Sequence, residues 1–195
     1  MSDVELRCRC GSIVGHVTEL SPRTCNRAVC YCDDCQAFAR WLGTDGVTDA
    51  HGGTDIVQLA PSAVTFSTGQ QHLRAMRLSP KGLLRWYSDC CRVPMGNMVS
   101  ARVPFVGLAR ERLLDVPAEA LGPAIGVQGR FVRGGVPPGA VARAPLGMIV
   151  HAVRLLGGWW LRGKGRPSPY FDDAGAPKVA PQVLDEAERA PLYAG

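Results

Sequence analysis

From Val4 to about Leu114, apolar residues recur in short alternating or continuous runs broken by Gly, Pro and Asp. That is the pattern of strands rather than helices. It predicts strands at Ile13 to Val17, Asp55 to Leu59, Ala63 to Ser67, Gly82 to Tyr87, Met95 to Val99 and Phe105 to Leu108. The stretch Asp115 to Pro145 carries Pro117, Pro123, Pro137, Pro138 and closely spaced glycines from Gly122 to Gly135, and reads as an irregular connection. Beyond it the period lengthens to that of a helix. Over Leu146 to Leu161, the residues Leu146, Ile149, Val150, Val153, Leu156 and Trp160 share one face, opposite His151, Arg154, Gly158 and Arg162. That apolar face is expected to pack on the β core. The alternative is contact with a membrane surface or a partner, helped by Trp159, Trp160, Arg162, Lys164 and Arg166. Pro181, followed by Asp185, Glu186 and Glu188, predicts a short closing helix from Pro181 to about Ala190. The expected fold class is therefore mainly β with a C-terminal helical extension. Its boundary falls near Leu114, giving a β domain over 1–114 and a connection plus amphipathic tail over 115–195.

Composition narrows the class without naming a function. A chain of 195 residues, 46% apolar and 20% charged, is neither disordered nor fibrous. A chain of this size buries roughly 70% of its unfolded surface. Twenty-two Lys and Arg against seventeen Asp and Glu leave a net charge of +5, which suits an anionic small molecule as well as a nucleic acid. Asp3 and Glu5 near the N-terminus, with no apolar run after them, do not make a signal peptide, so a reducing cytoplasmic setting is expected. His151 and Arg154 interrupt the most apolar later stretch, and no transmembrane segment is expected.

Eight cysteines are the unusual count, and all precede residue 92. In a reducing compartment such thiols serve metals or chemistry more often than disulfides. They form three groups: Cys8-Arg9-Cys10-Gly11, Cys30-Tyr31-Cys32-Asp33-Asp34-Cys35, and the adjacent pair Cys90-Cys91, with Cys25 alone. A Cys-x-Cys or Cys-x-x-Cys turn points two sulfurs at one place, and structural zinc takes four ligands. Cys8 and Cys10 need two more, and Cys90 with Cys91 is the other paired group left. The central group supplies three sulfurs, and three ligands with an open position is the pattern of a catalytic zinc site. Cys25 is near enough to close that site instead, and an unmetallated redox triad is a third possibility.

These motifs resemble the glutathione-dependent formaldehyde-activating enzyme family, which includes centromere protein V. That family shows Cys-x-Cys-Gly, a central Cys-x-Cys-x-x-Cys, then an aromatic residue followed by Cys-x-x-Cys-Gly and a nearby Pro. The first two groups match as they stand. Asp55-Ile56-Val57-Gln58-Leu59, Val64-Thr65-Phe66 and Gly69 look like the family's middle strands and turn, so the resemblance spans about Leu6 to Phe105. The last motif departs from the pattern. With Val93-Pro94 aligned, Cys91 takes the second cysteine, Ser88 the first and Arg92 the glycine, leaving Cys90 as an extra thiol that either replaces the missing ligand or pairs with Cys91.

The resemblance implies a β-tent of short antiparallel sheets pinned by zinc. It places a structural zinc on Cys8, Cys10, Cys90 and Cys91 and a catalytic one on Cys30, Cys32 and Cys35. It implies a carbon–sulfur lyase-type enzyme joining a small thiol such as glutathione to formaldehyde or a similar small aldehyde. Arg74, Arg77, Lys81, Arg85 and Arg92 are candidates for the thiol's carboxylates, and His51 or His72 for a proton shuttle. Two other readings compete. One is a zinc module without enzymatic activity, contacting proteins or nucleic acid through Arg162-Gly163-Lys164-Gly165-Arg166, although so short a basic run disfavours nucleic acid. The other is a thiol redox protein resembling methionine sulfoxide reductase B, with Cys25 or Cys90 reactive. No His-Glu-x-x-His occurs, and Gly165 stands where a phosphate-binding loop needs Ser or Thr, so zincin and nucleotide-hydrolase chemistry are set aside.

Overall fold

The computed structural model describes residues 3–43 and 45–194. Eleven strands among them make the chain mainly β. A three-stranded antiparallel sheet holds β1 (Val4–Arg7), β2 (Val14–Val17) and β5 (Val64–Thr68), in that order. The larger sheet contains β3 (Asn26–Cys30), β4 (Thr54–Leu59), β6 (Leu73–Arg77), β7 (Leu84–Ser88), β8 (Pro94–Met98), β9 (Val106–Ala109), β10 (Ile125–Val127) and β11 (Gln182–Val183). Its order is β10-β3-β4-β9-β8-β7-β6-β11. The six inner strands are antiparallel, and the two outer ones run parallel to their neighbours.

Strand alternation divides the core in two. On β6 and β7, Ala75 and Trp86 face the main core with Leu6, Val57, Phe66, Met95 and Leu108. Their neighbours Met76 and Tyr87 face a second cluster with Ala37, Phe38 and Leu42. This second cluster is roofed by α1 (Asp33–Leu42), a helix the strand pattern did not anticipate. Its start is encoded all the same. The Cys32 sulfur accepts from the Cys35 N–H at 3.4 Å as an N-cap, and Asp33 and Asp34 in the first turn complement the helix dipole. Gly43, with φ 62°, ends the helix in the left-handed conformation that glycine tolerates.

The residues after Leu114 are built into the same core. They include α2 (Ala118–Leu121), β10, α3 (Leu146–Leu161), β11 and α4 (Glu186–Arg189). Tyr170 and Phe171 insert into the main core against Phe66 and Trp86. The Tyr170 hydroxyl donates to the Met95 carbonyl at 2.7 Å. The ring passes so close to Gly96 that a Cβ there would lie 2.9 Å from the hydroxyl, which is why this strand carries no side chain at that point. The closing helix is shorter than expected: a capping box on Asp185 and Glu188 starts α4, and a tighter turn over Ala190–Tyr193 follows.

The expectation that α3 buries Leu146, Ile149, Val150, Val153, Leu156 and Trp160 needs correcting. Leu146 is 75%, Val153 61% and Trp160 69% exposed, Ile149 and Val150 are also exposed and Leu156 is half-buried. The helix instead leans on the protein through Trp159, buried, and Met148, Ala152 and Leu155, half-buried. His151 on that inner side donates from Nε2 to the Cys25 carbonyl at 3.0 Å. The helix is apolar on two faces, so periodicity alone could not say which turns inward. Among the described residues no helix is long and apolar enough to cross a membrane.

Candidate functional site

Two sulfur clusters form where the sequence groups its cysteines. The outer one gathers Cys8, Cys10, Cys90 and Cys91, whose sulfurs all lie within 4.8 Å of one another. Cys8 and Cys10 sit in the turn between β1 and β2, and Cys90 and Cys91 in the turn between β7 and β8, so the cluster ties the small sheet to the large one. The sulfur separations are 3.6 Å for Cys8–Cys10, 3.8 Å for Cys8–Cys90 and 3.3 Å for Cys10–Cys90. Four thiolates around one zinc at about 2.3 Å stand about 3.8 Å apart, so this set fits a metal ion and is too open for a disulfide. All eight cysteines are free thiols, which sets aside a Cys90–Cys91 bridge.

The departures in the last motif have local explanations. Ser88 is buried, accepts the Val93 N–H at 3.2 Å and lies 3.3 Å from the Cys91 sulfur, so it braces the turn from where the resemblance places a ligand. Arg92 takes a left-handed backbone, φ 49°, where a glycine was expected. Its side chain offsets that strain by donating to the Leu42 and Trp41 carbonyls at 2.7 and 2.6 Å and stacking on the Trp41 ring. Hydrogen bonding to the Ser12 side chain and backbone pulls the exposed Cys10 thiol down to about 6, while burial first of all pushes Cys90 up to about 12.

The central group brings together Cys30 at the end of β3, Cys32 at the helix cap and Cys35 in the first turn of α1, again within 4.8 Å. Among the described residues no fourth Cys, His or carboxylate ligand atom lies that close to all three. Cys30 and Cys32 are half-buried and Cys35 is buried. Hydrogen bonds from its two partner thiols hold Cys35 well below the usual thiol range, and the nearby Arg85 cation adds to them. Cys32 moves up in compensation, so the bare triad places its first negative charge on Cys35. Three sulfurs with one side unfilled suit a soft or borderline divalent ion.

Cys25 does not complete the triad. It lies in the main core, its sulfur 3.6 Å from the Leu121 carbonyl, and burial pushes it up to about 11, which makes it a poor nucleophile and disfavours the redox reading at that residue. Of the five candidate cations, Arg85 alone is found beside the triad. Arg74 pairs with Asp89 at 2.6 Å, Arg77 holds the Gly82 carbonyl and Arg92 braces its turn, while Lys81 is exposed. His72 binds Asp89 at 3.0 Å beside Cys90, and His51 contacts the Arg133 carbonyl, so neither is in the triad.

Arg85 is the residue whose role the sequence understates. It is 1% exposed, neither terminal nitrogen has a hydrogen-bond partner, and its guanidinium lies 5.1 Å from the Phe38 ring centre and 3.9 Å from Asp34. With Cys35, Thr54 and Asn97 it lines a cavity of about 10 Å³. A cation this buried, with Asp34 only at 3.9 Å, is costly unless more negative charge gathers nearby, and three thiolates on a divalent ion carry a net charge of −1. The C-terminus closes the rim: the Tyr193 hydroxyl donates to Asp34, and Arg40 holds the Leu192 carbonyl. A wider cleft of about 370 Å³ begins at Gln36, the residue after Cys35, and is lined further along by Arg40, Gly43, Asp45, Gly52 and Arg133.

No curated protein matches this chain. Among solved structures, a crystal structure of a Rhodobacter sphaeroides protein is similar at a TM-score of 0.42 and 16% identity, covering 62% of this chain and 96% of that one. The model of a family of unknown function, DUF6151, matches residues 1–181. The chain, matched over nearly its whole length, therefore belongs to the DUF6151 family.

Proposed function

We propose that this protein is a zinc-dependent carbon–sulfur lyase-type enzyme that joins a small thiol such as glutathione to a small aldehyde, on a β-tent pinned by the outer sulfur cluster. The observation that carries the reading is the three-sulfur triad, two of its cysteines half-buried and the third buried, with no fourth ligand among the described residues and a buried cation behind it. Cys30, Cys32 and Cys35 would hold the reactive ion, and Cys8, Cys10, Cys90 and Cys91 the structural one. Zinc held there would supply stabilisation of the thiolate form of an incoming thiol at neutral pH. The thiol sulfur then forms a bond to the aldehyde carbon, the carbonyl π bond opens onto its oxygen, and the proton from the thiol ends on that oxygen. The reverse step cleaves the adduct.

The chain's own residues orient and balance charge. Arg85 offsets the excess negative charge of three thiolates, and α1 holds Cys32 and Cys35 in one turn so that the sulfurs need no rearrangement. The cleft that starts at Gln36 is lined by Arg40, which also holds the Leu192 carbonyl, and by Arg133, and their charge suits the carboxylates of a thiol of glutathione size. The test is spectroscopic. With cobalt in both clusters, glutathione should shift the ligand-field bands of the central site, and Cys32→Ser should remove the shift while the outer bands remain. Bands in the wild type that stay fixed through saturating glutathione would refute the proposal.

A further inference from the structure

The sulfur chemistry leaves unused the exposed apolar face of α3. Leu146, Ile149, Val150, Val153, Trp160 and Leu161 project from it at helical spacing, between 39% and 78% exposed. Over sixteen residues this makes a continuous stripe about 24 Å long. Monomeric proteins rarely leave such a contiguous patch uncovered. The charges along this stretch of chain are of one sign, although Glu19 from elsewhere pairs with Lys164 at 3.1 Å. From Ala120 to Phe171 the chain has seven of its 22 cations and none of its 17 acids, so the remainder is net acidic. Arg143, Arg154, Arg162 and Arg166, within the helix or close to its ends, are all exposed.

We infer that α3 is an interfacial helix that lays this stripe on an anionic lipid surface. Aliphatic side chains enter the headgroup boundary, Trp160 sits at the depth where indole rings prefer to lie, and the arginines meet the lipid phosphates. The charge pattern selects this occupant over two others. A second copy of the chain pairing through the same stripe would bring Arg154 and its flanking arginines against their own equivalents. A nucleic acid would satisfy the arginines and strand Leu146, Ile149, Val150 and Val153 against phosphates, with Trp160 as the stripe's one aromatic ring. The helix rests on its inner face through Trp159, and no helix among the described residues spans a bilayer, so it lies on the surface.

The experiment sediments the full chain with vesicles of phosphatidylcholine alone or of equimolar phosphatidylcholine and phosphatidylglycerol. Sedimentation is expected with the anionic vesicles, at least tenfold stronger than with the neutral ones and weakened by salt. Val153→Glu, at an exposed position that leaves the fold intact, should cut binding at least tenfold, and Arg154→Gln with Arg162→Gln should reduce its salt dependence. The emission of Trp160, isolated by subtracting a Trp160→Phe variant, should shift to the blue. Absence of sedimentation, equal binding to both vesicle types, or binding that survives Val153→Glu would each overturn the inference. So would a dimer in light scattering that Val153→Glu dissolves, which would identify a second copy as the occupant. Retention of single-stranded RNA by both the wild type and Val153→Glu, without vesicle binding, would overturn it in favour of a nucleic acid.

Discussion

Arg85→Met separates two energies that the native structure combines. Methionine keeps the unbranched stem and its packing on Phe38 but removes a guanidinium that is 1% exposed, has no hydrogen-bond partner on either terminal nitrogen and faces Asp34 at 3.9 Å. Without metal, loss of the cation relieves a desolvation cost on the order of several kcal/mol but also gives up its attraction to Asp34 at 3.9 Å and to the Cys35 thiolate, so the two largely offset. With metal, the same cation balances three thiolates, and loss of such an outer partner lowers metal affinity by about 10- to 100-fold. The metal-free variant should therefore differ little in stability from the wild type while its central site binds zinc more weakly. Arg85→Lys, which keeps the charge, should fall between the two. Competition with a chromophoric chelator reads the affinity, and urea melts with and without chelator read the stability. The reasoning fails if Arg85→Met loses the same stability in both states and binds zinc as tightly as the wild type.

Other consequences can be checked separately. The Cys25 thiol rises from its ordinary 9.0 to about 11 in the fold. Because the unfolded chain loses this proton first, stability should be unaffected below pH 9 and fall between pH 9 and 11 by about 3 kcal/mol, and urea melts of Cys25→Ala should show a correspondingly shallower loss. Tyr170→Phe leaves the Met95 carbonyl unpartnered in the core and should cost about 1–3 kcal/mol in denaturant melts, with the aromatic contacts retained. Atomic absorption should find two zinc ions per wild-type chain and one in either Cys32→Ser or Cys90→Ser. Chelation should lower the melting temperature of Cys32→Ser far more than that of Cys90→Ser, because only the outer cluster joins the two sheets.

The parts of the fold legible in the sequence were those with clean periodicity. The six expected strands correspond to β2, β4, β5, β7, β8 and β9 within about two residues at each end, and α3 has the expected bounds. β3 escaped because Asn26 and Arg27 leave it little apolar run, and the short β1, β10 and β11 because pairing to a neighbour, more than composition, defines strands of two to four residues. α1 is masked in the sequence by cysteines that also read as metal ligands, although Asp33-Asp34 in its first turn and Gly43 behind it are ordinary helix punctuation. The spacing of the sulfurs suggested both clusters. Arg85 was one of five equivalent cations on paper, since burial is a property of the packed sheet and not of the residue.

One strand gives these two regions a fixed relation. β3 starts after the Cys25 carbonyl that His151 grips from α3, ends at Cys30 in the triad, and is hydrogen-bonded on both sides by β10 and β4. Its five residues measure about 17 Å and contain no joint. Whatever surface the helix rests on, the triad sulfurs are therefore carried at a set standoff from it, like the head of an instrument on a short rigid arm. Molecules confined near that surface would meet them at one height.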